Sequence, residues 1–211
     1  MGSIKKQLMD LLKPEVDSDL LDLLPSRYPV IGGALIIRLK KPLYKYKELI
    51  GSKLLEIMKN INSVWLFYGK TEGVMRKPKL VCIAGECNPV VVHRELDTVF
   101  YLDISKLTFS PGNAGERKKL LKFVKRDEVV VDLFACCGNL SMPIAVNVKP
   151  RKIFAVEVNS YAYGFLLKNI LANKVQDIVE PFLMDNHYWG IFGIADHALL
   201  GFLPEPDSCL L

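Results

Sequence analysis

The chain has 211 residues, of which 50% are apolar and 24% charged, with Lys+Arg 28 against Asp+Glu 23 and a net charge of +5. Such a balance excludes a disordered chain and allows one medium domain or two small ones with a self-sufficient core. No apolar run reaches the ~18 residues of a membrane helix. The N-terminal MGSIKKQLMDLL also lacks the apolar stretch of a signal peptide, so a soluble, cytoplasmic protein with no membrane partner is expected.

In chain order, residues 1–24 carry the apolar stripe of a short helix or two (Leu8, Leu11, Leu12, then Leu20, Leu21, Leu23, Leu24), stopped by Pro25. Tyr28–Leu39 is strand-rich, with Gly32-Gly33 as a tight turn before the strand Ala34–Leu39. Tyr46–Asn60 has helical periodicity, and Ser63–Tyr68, Lys79–Ala84, Val90–Arg94 and Val99–Asp103 read as strands. After a turn at 110–113 and a basic helix over Gly115–Lys125, the pattern changes. Glu128–Phe134, Lys152–Glu157, Ile178–Met184 and Ala195–Phe202 are strands alternating with helices at Leu140–Val146 and Ser160–Asn173, the latter capped by Asn159 or Ser160. The alternation predicts βαβ units and a parallel sheet. The expected organisation is a helical segment over 1–24, a small α+β domain over 25–109, and a Rossmann-like α/β domain over 110–211.

Five cysteines (82, 87, 136, 137, 209) contain no C-x-x-C pair, and the three histidines show no metal-ligand spacing, so no metal site is expected. An odd count without a secretion signal predicts reduced thiols. Cys136 and Cys137 read as small buried residues, since no base stands near them in sequence.

Ligands of a parallel sheet sit beyond the carboxyl ends of its strands. Three signals fall at such ends: the loop D-L-F-A-C-C-G at Asp132–Gly138, the acid Glu157, and the pair Asp185-Asn186. Glu157 can take ribose hydroxyls, and Asp185 with Asn186 can read an adenine edge. The loop has one glycine where a pyrophosphate cradle needs three. An adenosine-bearing cofactor without phosphate, S-adenosylmethionine, fits best.

The stretches Leu24–Gly32 (LPSRYPVIG), Glu95–Lys106, Phe109–Leu120 (FSPGNAGERKKL), Val129–Ala145, Val156–Ser160, Asn169–Val175 and Met184–Asn186 together resemble the tRNA wybutosine-synthesising aminocarboxypropyltransferases, sisters of the tRNA (guanine-37-N1) methyltransferases. The resemblance implies a class I S-adenosylmethionine fold after a small α+β domain. It implies that Ser110 and Arg117 touch the methionine end of the cofactor, Glu157 the ribose, and Asp185 and Asn186 the adenine. The implied reaction moves the 3-amino-3-carboxypropyl group to a wyosine-precursor base at position 37 of tRNA-Phe, in its anticodon loop. No catalytic side chain is assigned, because a sulfonium already activates its attached carbons. Gly112-Asn113 and Gly201-Phe202-Leu203-Pro204 favour this branch over N1-methylation, the alternative. The basic stretch Arg117–Arg126 and the lysines of 38–53 would serve the RNA backbone.

Two departures stand out. Cys136 replaces the family's usual glycine, a substitution that matters where the backbone needs φ > 0. Relatives also continue beyond the fourth strand of the Rossmann-like part. The sheet is therefore expected to be completed by a partner chain or to belong to an inactive, tRNA-binding remnant.

Overall fold

The structure, a computed structural model, describes residues 3–69, 71, 73, 77–190 and 193–201, so Cys209 and Phe202-Leu203-Pro204 lie outside the described residues. The chain divides into two compact units, residues 1–92 with 103–111 and residues 93–102 with 112–211.

In the first unit, helix α1 (Ile4–Leu12) opens on Ser3, whose hydroxyl accepts the Lys6 N–H, and the short α2 (Ser18–Leu21) follows. Strands β1 (Val30–Ile31) and β2 (Ala34–Ile37) form the hairpin predicted around Gly32-Gly33. From β2 the chain crosses through α3 (Lys47–Ile57) to β3 (Ser63–Phe67), which pairs parallel to β2, and then turns antiparallel into β4 (Leu80–Gly85). The sheet order is β1-β2-β3-β4. Leu8 and Leu12 of α1 and Leu21 of α2 join Leu35, Ile37, Ile50, Leu54, Val64 and Leu66 in one buried core. The amphipathic stripe of 1–24 is thus satisfied against α3 and this sheet.

Cys82 and Cys87 form a disulfide, which corrects the expectation of reduced thiols at these two positions. The cause is local. Gly85 at φ +82° ends β4 and turns the chain back, placing the two Cα atoms 5.6 Å apart, inside the range a disulfide spans.

Strands β5 (Val90–Glu95) and β6 (Thr98–Asp103) are joined by Leu96 and Asp97, both at positive φ (50° and 55°), as a two-residue hairpin turn requires. The chain enters the second unit within β5 and leaves it within β6.

The second unit holds α4 (Ala114–Phe123), β7 (Val129–Asp132), α5 (Ser141–Asn147), β8 (Lys152–Glu157), α6 (Ser160–Ala172), β9 (Val179–Leu183) and β10 (His197–Leu199). Its sheet has the order β10-β7-β8-β9, and every pairing is parallel. All four residues of β7 are buried, which is why that strand reads as an unbroken apolar run rather than an alternation. Because β8 and β9 step away on one side of β7 and β10 returns on the other, the topological switch point lies at the carboxyl end of β7. Among the described residues no helix is long and apolar enough to cross a membrane.

Candidate functional site

Strand β7 ends in Asp132, whose carboxyl is fully buried; Oδ1 accepts the Phe134 N–H at 3.3 Å. Burial pushes its pKa up to about 7, aided by the nearby charge of Glu157 and opposed by the Phe134 N–H and by Ser141. Beyond it the loop folds on itself: Ala135 N–H bonds the Val156 carbonyl (2.9 Å), and Gly138 N–H the Ala135 carbonyl (2.7 Å). Gly138 sits at φ +92°, and a Cβ there would lie 2.4 Å from Met142 Cγ, so this glycine is required by both backbone and packing. Cys136 occupies φ +52°. The position does demand the left-handed region, and a side chain is held there at a steric cost.

Glu157 ends β8 and ties the loop to the next helix. Its Oε2 accepts the Cys136 N–H at 2.6 Å, and its Oε1 the Asn159 N–H at 2.7 Å. Desolvation raises its pKa against these backbone donors. Asn159, in turn, caps α6 by accepting from the N–H groups of Tyr161 and Ala162, which settles the choice of cap. After β9, Asp185 accepts both the backbone N–H and the ring Nδ1 of His187 (3.0 and 2.6 Å), and these contacts lower its pKa. Asn186 opens the short turn 186–188 beside it. Asp132, Glu157 and Asp185-Asn186 therefore occupy successive strand ends on one edge of one parallel sheet.

Arg117 is held by a partner within its own unit. Its side chain is 2% exposed on α4 and forks onto Glu95, Nε to Oε1 at 2.5 Å and Nη2 to Oε2 at 2.9 Å. The reason is physical: a buried guanidinium requires a carboxylate in fork geometry, and the hairpin supplies one. Arg117 shapes the unit through Glu95. Ser110 belongs to the first unit, where it lines a cleft described below. The two basic stretches are partly neutralised: Lys119 pairs with Glu116, Lys47 with Glu48 and Lys53 with Glu56.

The stretch Asn169–Val175 holds two asparagines whose side chains bind the hairpin. Fully buried Asn169 accepts the Tyr101 N–H (2.7 Å) and donates to the carbonyls of Tyr101 (3.0 Å) and Cys137 (2.9 Å). Asn173 makes the same two-way pairing with Val99. Two amides four residues apart, Asn169 on α6 and Asn173 at its C-cap, thus act as a strand edge for β6, and Asn169 also pins the loop. The spacing N-x-x-x-N on one helix face was the available signal. Cys137 is buried, and its thiol is held well above its usual pKa by Cys136 and by desolvation, so it is not primed as a nucleophile.

A phosphate-bearing cofactor does not suit this edge. Residues 132–139 contain no lysine or arginine, and the acids Asp132 and Glu157 flank the loop. The acids instead suit a cation, and Glu157 retains lone pairs for hydroxyl donors. This sheet order, tight loop and strand-tip acid define the S-adenosylmethionine-dependent class of α/β transferases. The TRM5/TYW2 methyltransferase domain matches residues 91–208, and the TYW2 N-terminal domain matches residues 8–88. The chain belongs to the TRM5/TYW2 family.

Among curated relatives, it is 38% identical over 95% of its length to a tRNA(Phe) (4-demethylwyosine(37)-C(7)) aminocarboxypropyltransferase of Pyrococcus horikoshii, covering 70% of that protein. It is 36% identical over 81% of its length to the tRNA (guanine(37)-N(1))-methyltransferase Trm5b of Pyrococcus abyssi, covering 51% of it. The crystal structure of P. horikoshii TYW2 in complex with MeSAdo superposes with a TM-score of 0.77 at 36% identity, covering 94% of this chain and 70% of the other.

Proposed function

We propose that the protein transfers the 3-amino-3-carboxypropyl group of S-adenosylmethionine to the wyosine-precursor base at position 37 of tRNA-Phe. The observation that carries the cofactor reading is Glu157: a half-buried carboxylate at the tip of the second parallel strand, holding the loop in place through the Cys136 N–H. The branch is chosen by the amino-terminal part, which matches the TYW2 N-terminal domain over residues 8–88. The 38% identity to the P. horikoshii aminocarboxypropyltransferase supports the same choice.

Glu157 would accept the ribose hydroxyls, and Asp185 with Asn186 would read the adenine. The carboxylate of Glu157 makes the edge electronegative, which favours a sulfonium and disfavours a pyrophosphate. Bound there, S-adenosylmethionine supplies carbons already activated by its positive sulfur, so the protein's task is orientation. Asn169 serves that task by fixing the Cys137 carbonyl and hence the loop. Arg117 contributes through Glu95 and the hairpin rather than by touching the cofactor.

The test is incubation with doubly labelled S-adenosylmethionine, methyl against carboxyl carbon, and tRNA-Phe bearing either the precursor base or an unmodified guanine at position 37. Carboxyl label on the RNA is the expected result. Methyl label would assign N1-type methylation instead, and no label on any tRNA would leave a cofactor-binding protein without transferase activity.

A further inference from the structure

The first unit carries a cleft of about 890 Å³ built wholly from its own residues, among them Arg27, Arg38, Phe67, Thr108 and Ser110. Arg38 lies with its guanidinium carbon 3.9 Å from the centroid of the Phe67 ring. Beside it is a second recess of about 380 Å³, which shares Pro78 and Leu80 with the first and gathers Lys77, Lys79 and Lys106 around Tyr68, itself 48% exposed. Five cations thus line one continuous surface, and among the described residues no aspartate or glutamate lines either recess.

Arg27 and Arg38 are both exposed, and among the described residues neither is paired with a carboxylate. That contrasts with the pairing of Lys13, Lys47, Lys53 and Arg117 elsewhere in the protein. A guanidinium stacked on an aromatic ring is held flat and keeps its edge N–H groups for a phosphate. Tyr68 and the Arg38 plane offer faces on which an unpaired base can stack.

We propose that this cleft holds a single-stranded segment of the RNA, with backbone phosphates on Arg27 and Arg38 and a base stacked at Phe67–Arg38 or Tyr68. The inference rests on the reading of the protein as a tRNA-modifying enzyme. It names a surface that the sequence alone does not single out: of the lysine-rich stretch 38–53, only Arg38 belongs to it.

The test measures binding of the full chain to a tRNA-Phe transcript across a salt series, with S-adenosylmethionine binding followed in parallel by calorimetry. Arg27→Ala and Arg38→Ala are each expected to weaken RNA binding about tenfold and to lower the salt slope by about one, with cofactor affinity unchanged. Arg38→Lys, which keeps the charge and loses the flat stacked fork, should weaken binding with little change in slope. Lys59→Ala, an exposed cation outside the cleft, should change binding less than twofold. Wild-type RNA affinity and slope in both arginine variants would overturn the cleft while leaving the functional reading intact. An equal loss in Lys59→Ala would also overturn it, since the attraction would then be general. Failure of the wild-type chain to bind any RNA while it binds cofactor would overturn both.

Discussion

The backbone N–H of Cys136, a residue at φ +52°, donates to Oε2 of Glu157 across 2.6 Å, and the other oxygen of the same carboxylate holds the Asn159 N–H. One side chain therefore positions the loop after β7 and the first turn of α6 together. Glu157→Gln keeps one acceptor oxygen and turns the other into a donor facing an N–H. It is expected to reduce S-adenosylmethionine affinity at least tenfold in calorimetry, equivalent to about 1.4 kcal/mol. The melting temperature should fall as well. Unchanged affinity would remove Glu157 from the cofactor site.

Cys136 itself offers a sharper test of backbone strain. An L-residue in the left-handed region costs about 1 kcal/mol or more, which glycine avoids at the expense of a more flexible unfolded chain. Cys136→Gly should therefore leave stability equal or raised by up to ~1 kcal/mol, while Cys136→Val, branched at Cβ, should lower it by about 2 kcal/mol. Urea midpoints for the two variants decide the matter. A valine as stable as the glycine would mean that the loop relaxes out of this conformation.

The α/β elements were legible because their signals are local. The apolar run of β7, the Gly32-Gly33 hairpin and the Asn159 cap each follow from a few adjacent residues, and the strand-tip acids follow from topology. What the sequence hid was pairing at a distance. Glu95 and Arg117 stand apart on a hairpin and a helix, and nothing local says that a buried fork joins them. Asn169 reaches Tyr101 and Cys137 across even longer separations. The disulfide has a different origin: an odd cysteine count points to reduced thiols, and only the reversal at Gly85 brings Cys82 and Cys87 together.

The fork between Arg117 and Glu95 predicts a stability effect where the family resemblance predicts a binding effect. Glu95 has a side chain 14% exposed, and the guanidinium holds its carboxyl below the usual range against desolvation. Arg117→Ala leaves that carboxylate with only the His93 ring, 3.6 Å away, and should cost about 3 kcal/mol. Adding Glu95→Gln should recover part of the loss. Cofactor affinity at a temperature where the variant stays folded should fall less than in Glu157→Gln. The reverse pattern, intact stability with lost affinity, would return Arg117 to the cofactor.

Asn169→Ala strips partners from the Tyr101 N–H and from the carbonyls of Tyr101 and Cys137 in a buried setting. A loss of about 3 kcal/mol is expected from unsatisfied backbone groups, read from denaturant unfolding at constant m-value. Asn173→Ala, at a partly exposed position, should cost less. Because Asn169 also fixes the loop, its variant should bind S-adenosylmethionine more weakly than Asn173→Ala at matched folded fraction. Equal affinities would confine Asn169 to the hairpin.

Asp132 gives the protein a pH signature. Its pKa is raised from 3.8 to about 7 by burial, so between those values the folded state binds a proton that the unfolded chain has released. More protons on the folded side means that this group's contribution to stability falls as pH rises through that window and levels off above about 7. Carboxylates with lowered pKa, Glu95 and Asp185 among them, push the other way, so the contribution is isolated by difference. Asp132→Asn removes the titration while keeping the shape. The stability of the variant relative to wild type should rise steadily from acid to neutral pH and then stay constant, as measured by urea unfolding at a series of pH values. A difference that is flat throughout would show that the buried carboxyl finds a charge partner and ionises at its ordinary pH.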